Sequence, residues 1–338
     1  MKIWLPSIRA RSGSDVYVER LAEALRTHGA EPVVQWFPHC YQYFPWALYR
    51  EPAPANTDLI NANSWIAFAF RRRSIPLVAT ALHCVAGRGY PEWKSLPQAI
   101  FHDHMVRRFE RASFGVSDAT IAISDSTRVE VGEDFEVRKI RAIPLWVDTN
   151  VFSPSLHPRA ADPGRTRILI VGNMSRRKGG DLIGPFCDAL DRQFEVTVVA
   201  GLRGQAPKIS ERGAGLRFVS GLTADQLVAM YRDTDIVVSL SRHEGFGYTA
   251  LEGMACGKPV VAFDVPGLRD VIVHETTGVL APVANTEALA QACRALVTNP
   301  ELARTLGEQG RRRATTFFTV NRAMEAHLAL YRELLANR

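Results

Sequence analysis

Cysteine is sparse in this chain, and long apolar runs are missing. Five cysteines (Cys40, Cys84, Cys187, Cys256, Cys293) are scattered over 338 residues with no C-x-x-C pair. That spacing suggests neither a structural zinc site nor a disulfide framework. No stretch approaches the ~18–20 apolar residues of a membrane span. The opening MKIWLPSIRARSGSD lacks the apolar centre of a signal peptide. There is no short-period repeat, no low-complexity segment, no G-x-x-x-x-G-K-[ST] phosphate loop and no G-x-S-x-G nucleophile elbow. What is there is ordinary for a soluble globular protein: 46% hydrophobic and 22% charged residues. At roughly 150 residues per domain the chain makes about two domains, and the cytoplasm is the simplest location.

The net charge is +6, divided evenly between residues 1–160 and 161–338. A mild basic balance suits anionic substrates or an anionic membrane surface. The basic residues do not form one stripe with interleaved aromatics, which argues against a nucleic-acid partner.

Along the chain, short apolar runs alternate with helical patterns. Strands are expected at Lys2–Leu5, Val33–Trp36, Thr57–Asn61, Pro76–Ala81, Ala119–Ser124 and Ile140–Pro144. Between the first two, Val18, Leu21, Ala22 and Leu25 share a helix face, and Gly29 is placed as the C-cap. Phe101–Ala112 reads as a further helix. The Pro-rich stretch SPSLHPRAADPGR breaks the rhythm as a linker, after which strands resume at Arg167–Val171, Val196–Ala200, Leu216–Val219, Ile236–Leu240 and Pro259–Phe263. Helices are expected at Ala224–Tyr231, Thr249–Cys256 and Glu287–Thr298. The fold class is α/β, with two Rossmann-like doubly wound domains.

Two segments carry charge and glycine where a strand turns into a helix. The run Ser241-Arg-His-Glu-Gly-Phe-Gly-Tyr-Thr-Ala-Leu-Glu252 follows an apolar strand, and Gly245 and Gly247 permit a tight turn close to a ligand. The helix N-terminus beyond them favours a phosphate. Glu244 and Glu252 can grip hydroxyls on two parts of one ligand. The run Gly172-Asn-Met-Ser-Arg-Arg-Lys178-Gly-Gly180 offers a lysine and two arginines suited to a pyrophosphate. Trp36–Tyr49 holds seven aromatics in fourteen residues against a chain average of 9%. It reads as internal packing of an irregular loop, an acceptor platform or a membrane-interface contact. Arg71-Arg72-Arg73 and Arg107, Arg108 and Arg111 are either a solvated face or contacts for anionic lipid. His102-Asp103-His104 is not read as a metal site, because positions i and i+2 do not share a helix face.

These elements, in this order, resemble the retaining glycosyltransferases of family 4, which have the GT-B fold. The glutamates take the E-x7-E form, within LSRHEGFGYTALEGMACGKPVVAFDVPGLRDVIVHETTGVLAP. RAIPLWVDTNVFSP, with Asp148 and Phe152, looks like the family's interdomain strand, and AISDSTR like the segment before it. SGSDVYVERLAEAL, with Gly13, occupies the place of the N-terminal glycine loop. The resemblance is strong from Arg167 to Pro282 and looser before Ala119.

The resemblance implies a GT-B architecture. An N-terminal acceptor-binding domain (1–152) and a nucleotide-sugar-binding domain (165–320) are joined by a linker (153–164) and face an interdomain cleft. A C-terminal helix (321–338) crosses back to the N-domain. It implies that Glu244 contacts the donor sugar, Glu252 the ribose, and Lys178 the diphosphate. His83 matches the first-domain histidine near the donor sugar. Phe246, Gly247, Tyr248 and Thr249, with Gly245, meet sugar and diphosphate, and Val219 and Ser220 meet the base. The chain departs from the pattern at Asn173, where the family usually has a diphosphate-binding arginine. Arg176 or Arg177 is expected to substitute. Ser12 replaces the first loop glycine, and Leu145-Trp146 replaces an Asn-Gly pair.

The expected function is transfer of a hexosyl unit from a UDP- or GDP-sugar, with retention and without metal or other cofactor. The acceptor is a saccharide or lipid-linked hydroxyl in bacterial surface polysaccharide or glycolipid synthesis, with the protein cytoplasmic or peripheral on the inner membrane face. Two alternatives stand beside it: a soluble transferase acting on a small molecule, and a nucleotide-sugar-binding protein without turnover.

Overall fold

The computed structural model describes residues 1–84, 96–137, 139–156, 164–200 and 215–337. Contacts divide the chain into two compact units, Met1–Leu145 with Val320–Arg338, and Trp146–Thr319. Residues 157–163 of the expected linker lie outside the described residues.

The first unit is a parallel sheet built from β1 (Lys2–Ile8), β2 (Glu31–Phe37), β3 (Leu59–Asn63), β4 (Leu77–Ala81), β5 (Ala119–Ala122) and β6 (Ile140–Ala142). Its strand order is β2-β1-β3-β4-β5-β6. β4 and β5 are buried along their whole length, as expected when helices cover both faces of a parallel sheet. The helices are α1 (Gly13–Thr27), α2 (Leu96–Ile100), α3 (Arg107–Val116) and α4 (Asp125–Phe135), with a π-helical turn at Phe101–Val106 joining α2 to α3. Gly29 ends α1 in the left-handed region at φ +79°. Ala30 N then donates to Leu25 O at 3.0 Å, which satisfies a terminal carbonyl.

The second unit repeats the plan with β7 (Thr166–Gly172), β8 (Phe194–Ala200), β9 (Gly215–Val219), β10 (Ile236–Ser239), β11 (Val260–Phe263) and β12 (Val279–Ala281). Its order is β12-β11-β10-β7-β8-β9, and all pairs are parallel. The winding runs outward from β7 on one side and from β10 on the other, so the direction reverses between those two strands. The helices are α5 (Ile183–Ala189), α6 (Ala224–Asp233), α7 (Tyr248–Ala255), α8 (Pro266–Val271), α9 (Thr286–Thr298) and α10 (Pro300–Phe317). Thr223 and Gln226 form a capping box on α6, and Asn285 and Asn299 cap α9 and α10.

The C-terminal helix α11 (Val320–Ala336) belongs to the first unit. It buries Met324, Leu328, Leu330 and Tyr331, each large side chain contributing about 1.5–3 kcal/mol. Asn61 Nδ2 donates to the Tyr331 hydroxyl at 2.6 Å, and Arg141 pairs with Glu333. The doubly wound architecture and the C-terminal helix on the first unit are both as expected from the sequence. Among the described residues no helix is long and apolar enough to cross a membrane.

Candidate functional site

In an open doubly wound sheet, ligands bind beyond the carboxyl ends of the strands where the winding reverses. The reversal in the second unit lies between β7 and β10, and both charged segments follow those strands. After β7, Ser175 caps a short 3-10 turn (Arg176–Lys178), accepting from Lys178 N at 3.3 Å. Asn173 Oδ1 accepts from the Ser175 amide at 3.2 Å and hydroxyl at 2.6 Å. Its side chain therefore organises the loop itself. Gly179 sits at φ +74°, and a Cβ there would lie 2.1 Å from Leu240 O. No other residue lets the β7 loop come this close to the end of β10.

Backbone and guanidinium groups lace the two loops together. Arg242 N donates to Arg177 O at 2.9 Å, and Arg177 Nη1 donates to His243 O at 3.0 Å. Arg242 is buried and grips Asp181 with two bonds, at 2.5 and 2.8 Å, while also donating to Arg176 O at 2.7 Å. That fork holds the Asp181 carboxyl below its usual value despite partial desolvation. The sequence reading did not single out Arg242 or Asp181. Their 61-residue separation leaves no local signal.

The loops meet at a charged centre. Lys178 Nζ donates to Glu244 Oε2, and Arg177 Nη1 lies 3.9 Å from the same oxygen. Burial works against the Glu244 charge, but Lys178 and Arg177 outweigh it and hold the carboxyl at about 2. Burial also lowers the Lys178 ammonium, against the opposing pull of Glu244. Two cations thus face one carboxylate, which leaves a net positive site for a polyanion.

Beyond Gly245, Phe246 is buried and edge-on to Tyr248 at 5.9 Å and to Phe318 at 5.6 Å. Gly247, at φ +106°, opens α7 without a side-chain cap, so the helix dipole points toward the loop. Thr249 Oγ1 donates to Val171 O at 3.1 Å, which fixes α7 to β7. Gly267 of α8 packs directly beneath, where a Cβ would be 2.2 Å from Glu244 O. Glu252 lies further along α7 and is buried; its Oε2 accepts from Tyr231 OH at 3.0 Å. Val219 ends β9, and exposed Ser220 follows it. The structure therefore joins Lys178, Arg177, Glu244 and the 245–249 turn in one cluster. Glu252 faces α6, and Val219 and Ser220 stand at the sheet's edge strand.

The other expected site residues belong to the first unit. Gly13 opens α1 after Ser12, with open space where a Cβ would stand. Asp15 accepts from the amides of Ala10 and Arg11, at 3.0 and 2.9 Å, and shapes that loop. His83 follows β4, with its ring 6.3 Å from that of Trp65. The aromatic stretch divides. Phe37 joins the core, and Arg9 covers Trp36 at 3.5 Å. Tyr43, Phe44, Trp46 and Tyr49 are 44–55% exposed. Arg71 is paired with Asp118, and Arg72 donates to backbone carbonyls including Glu51 O. Among the described residues, no group of three or more His, Cys, Asp or Glu could hold a metal ion.

Residues 157–313 match the family described as glycosyl transferases group 1, and residues 32–151 match Glycosyltransferase Family 4. A D-inositol 3-phosphate glycosyltransferase of Arthrobacter sp. (strain FB24) is 29% identical over 75% of this chain, which spans 65% of that relative's length. A sucrose-phosphate synthase from Thermosynechococcus elongatus superposes with a TM-score of 0.84 and 23% identity, covering 100% of both chains. Anabaena HepE in complex with UDP-glucose superposes with a TM-score of 0.71 and 17% identity, covering 100% of each.

Proposed function

We propose, on the premise that this chain is a GT-B protein of the glycosyltransferase group 1 and family 4 kind, that it is a retaining hexosyltransferase using a UDP- or GDP-sugar. The observation that carries this reading is the cluster at the strand reversal, where Lys178 and Arg177 converge on Glu244 beside the opening of α7. In the proposed reaction, the bond between the anomeric carbon and the diphosphate oxygen breaks. The acceptor oxygen bonds the same carbon on the same face, and its proton passes to the departing diphosphate. The charge that grows on the diphosphate is met by Lys178, Arg177 and the α7 amides, in place of a metal ion. Glu244 holds the sugar hydroxyls, Glu252 the ribose, and Val219 and Ser220 the base.

For the acceptor, we infer a saccharide or lipid-linked hydroxyl in bacterial surface glycan synthesis, with the protein in the cytoplasm or on the inner membrane face. The exposed Tyr43, Phe44, Trp46 and Tyr49 support a membrane contact. A second reading, a small phosphorylated acceptor, is favoured by the names of two similar proteins, D-inositol 3-phosphate glycosyltransferase and sucrose-phosphate synthase. A binding protein without turnover is disfavoured by Arg177, which supplies a guanidinium where Asn173 cannot.

A thermal-shift panel of UDP, GDP, ADP, CMP and their sugar conjugates, with and without metal, tests the donor. Saturation at 100 times Kd stabilises the native state by about 2.7 kcal/mol. Lys178→Ala and Glu244→Ala are each expected to lower kcat/KM by ~100-fold or more. Near-wild-type turnover in both would overturn the assignment.

A further inference from the structure

A second concentration of positive charge lies in the first unit, at the amino ends of its strands. Leu77 opens β4, Ala119 opens β5 and Ile140 opens β6. A cleft of about 590 Å³ beside them is walled by the turn at Arg73, by the start of β6 and by the last turns of α11. That volume is in the range of small-ligand sites. Local structure aims cations into it. Arg72 and Ile75 form an antiparallel bridge, which leaves Arg73 at the tip of a tight turn. Lys139 and Arg141 flank Ile140 on the edge strand, so they project from one face of it. Leu330, Glu333, Leu334 and Asn337 repeat at helical spacing, and this stripe of α11 forms the opposite wall.

The charges in the cleft do not balance. Arg71 pairs with Asp118 at 2.5 Å, and Arg141 with Glu333 at 2.5 Å. Asp118 is also committed to the Leu77 amide at 2.8 Å, which ties it to β4. Arg72 turns away, to Ala69 O at 3.2 Å and Glu51 O at 2.5 Å. Among the described residues, Arg73 and Lys139 have no acidic partner. Four cations therefore face two carboxylates.

We propose that this cleft, built wholly from the first unit, is a binding site for a phosphate monoester.

A phosphate monoester carries about two negative charges at neutral pH, which matches the excess. Arg73 offers a planar fork and Lys139 a point charge, and the two act on phosphate in different ways. The side chains of both ion pairs are between 35% and 48% exposed. Such pairs contribute little, so Arg71 and Arg141 can trade a carboxylate for phosphate. Partial negative charge at the carboxyl end of α11 opposes an anion, but it falls off within the last turn and the cations outweigh it. Ile75, Leu330 and Leu334 give the cleft an apolar wall, which suits the carbon side of an ester better than bare phosphate.

The proposal does not rest on the transferase reading. It is tested on the full chain carrying Lys178→Ala, which weakens the hold of the second unit's cluster on phosphate. Phenyl phosphate and inorganic phosphate are titrated by calorimetry. One site is expected, with phenyl phosphate the tighter ligand. Adding Arg73→Ala and Lys139→Ala should weaken both by ~10-fold or more. Adding Glu333→Gln instead, which removes a competing carboxylate, should tighten both by ~2–5-fold. All three positions are exposed, so the fold should persist, and melting temperatures check it. Flotation with vesicles of phosphatidic acid in phosphatidylcholine, against phosphatidylcholine alone, separates the sources of the phosphate. Flotation that requires phosphatidic acid, Arg73 and Lys139 assigns the site to a lipid headgroup, and titration without flotation assigns it to a free ester. No titration together with no flotation, undiminished binding in Arg73→Ala with Lys139→Ala, or weaker binding in Glu333→Gln would each overturn the proposal.

Discussion

Tyr231 donates its hydroxyl to Glu252 Oε2 at 3.0 Å, in a place closed to solvent. The Tyr231 ring is edge-on to Phe152 at 5.8 Å, and Arg311 holds the Phe152 carbonyl at 2.8 Å. Next to Tyr231, Arg232 donates to Ser153 O at 2.9 Å and Val151 O at 3.1 Å. The α7 glutamate is thereby tied to the segment that opens the second unit. Tyr231→Phe keeps the ring and removes only the donor. If Glu252 binds the ribose, donor KM should rise ~10-fold with kcat little changed, because a Glu252 carboxyl no longer held by Tyr231 is less well placed for the ligand. Steady-state kinetics at saturating acceptor read this directly, and an unchanged KM would leave Tyr231 a packing residue.

Gly267 makes a second prediction. A Cβ at this position would stand 2.2 Å from Glu244 O and 2.7 Å from Phe246 N, all of it backbone that cannot swing away. Gly267→Ala should cost about 1–3 kcal/mol by overpacking, and it should also displace the Glu244–Phe246 turn. The checks are the melting temperature and the nucleotide-induced shift in it. Gly115→Ala is the control, since a Cβ there meets nothing within 4 Å. Equal behaviour of the two variants would show that α8 does not support the loop.

How much of this was legible in the sequence depends on distance along the chain. The strands with apolar runs and the turns with paired glycines were readable, because alternation, capping and φ > 0 are local demands. The expected strands do not include β12. The pattern over Asp125–Phe135 does not announce a helix either; its buried positions are few, and its start rests on Ser124 accepting from Thr127 N. At the site, Lys178 and Glu244 were each found from their own loops. Their pairing across 66 residues, and the Arg242–Asp181 fork behind it, come from the adjacency of β7 and β10.

The β7 loop poses a choice between two neighbouring arginines, and the geometry separates them. Arg176 is exposed, and its role in the lacing is through its carbonyl, which accepts from Arg242. Arg177 is 24% exposed, with its guanidinium on His243 O and 3.9 Å from the carboxylate that Lys178 holds. A diphosphate arriving at this cluster would meet Lys178 and Arg177 together, with the guanidinium free to trade the long contact to Glu244 for a closer one to phosphate. Arg177→Ala should therefore lower kcat/KM by ~10–100-fold and weaken the nucleoside diphosphate shift in melting temperature. Arg176→Ala should stay within about twofold of wild type, because it leaves the backbone carbonyl in place. Arg177→Lys should recover only part of the loss, since a point charge cannot reproduce the fork while it also holds His243 O. The reverse ranking, with Arg176→Ala the more damaging, would mean that the loop turns over on binding and that the exposed arginine is the one that takes the phosphate.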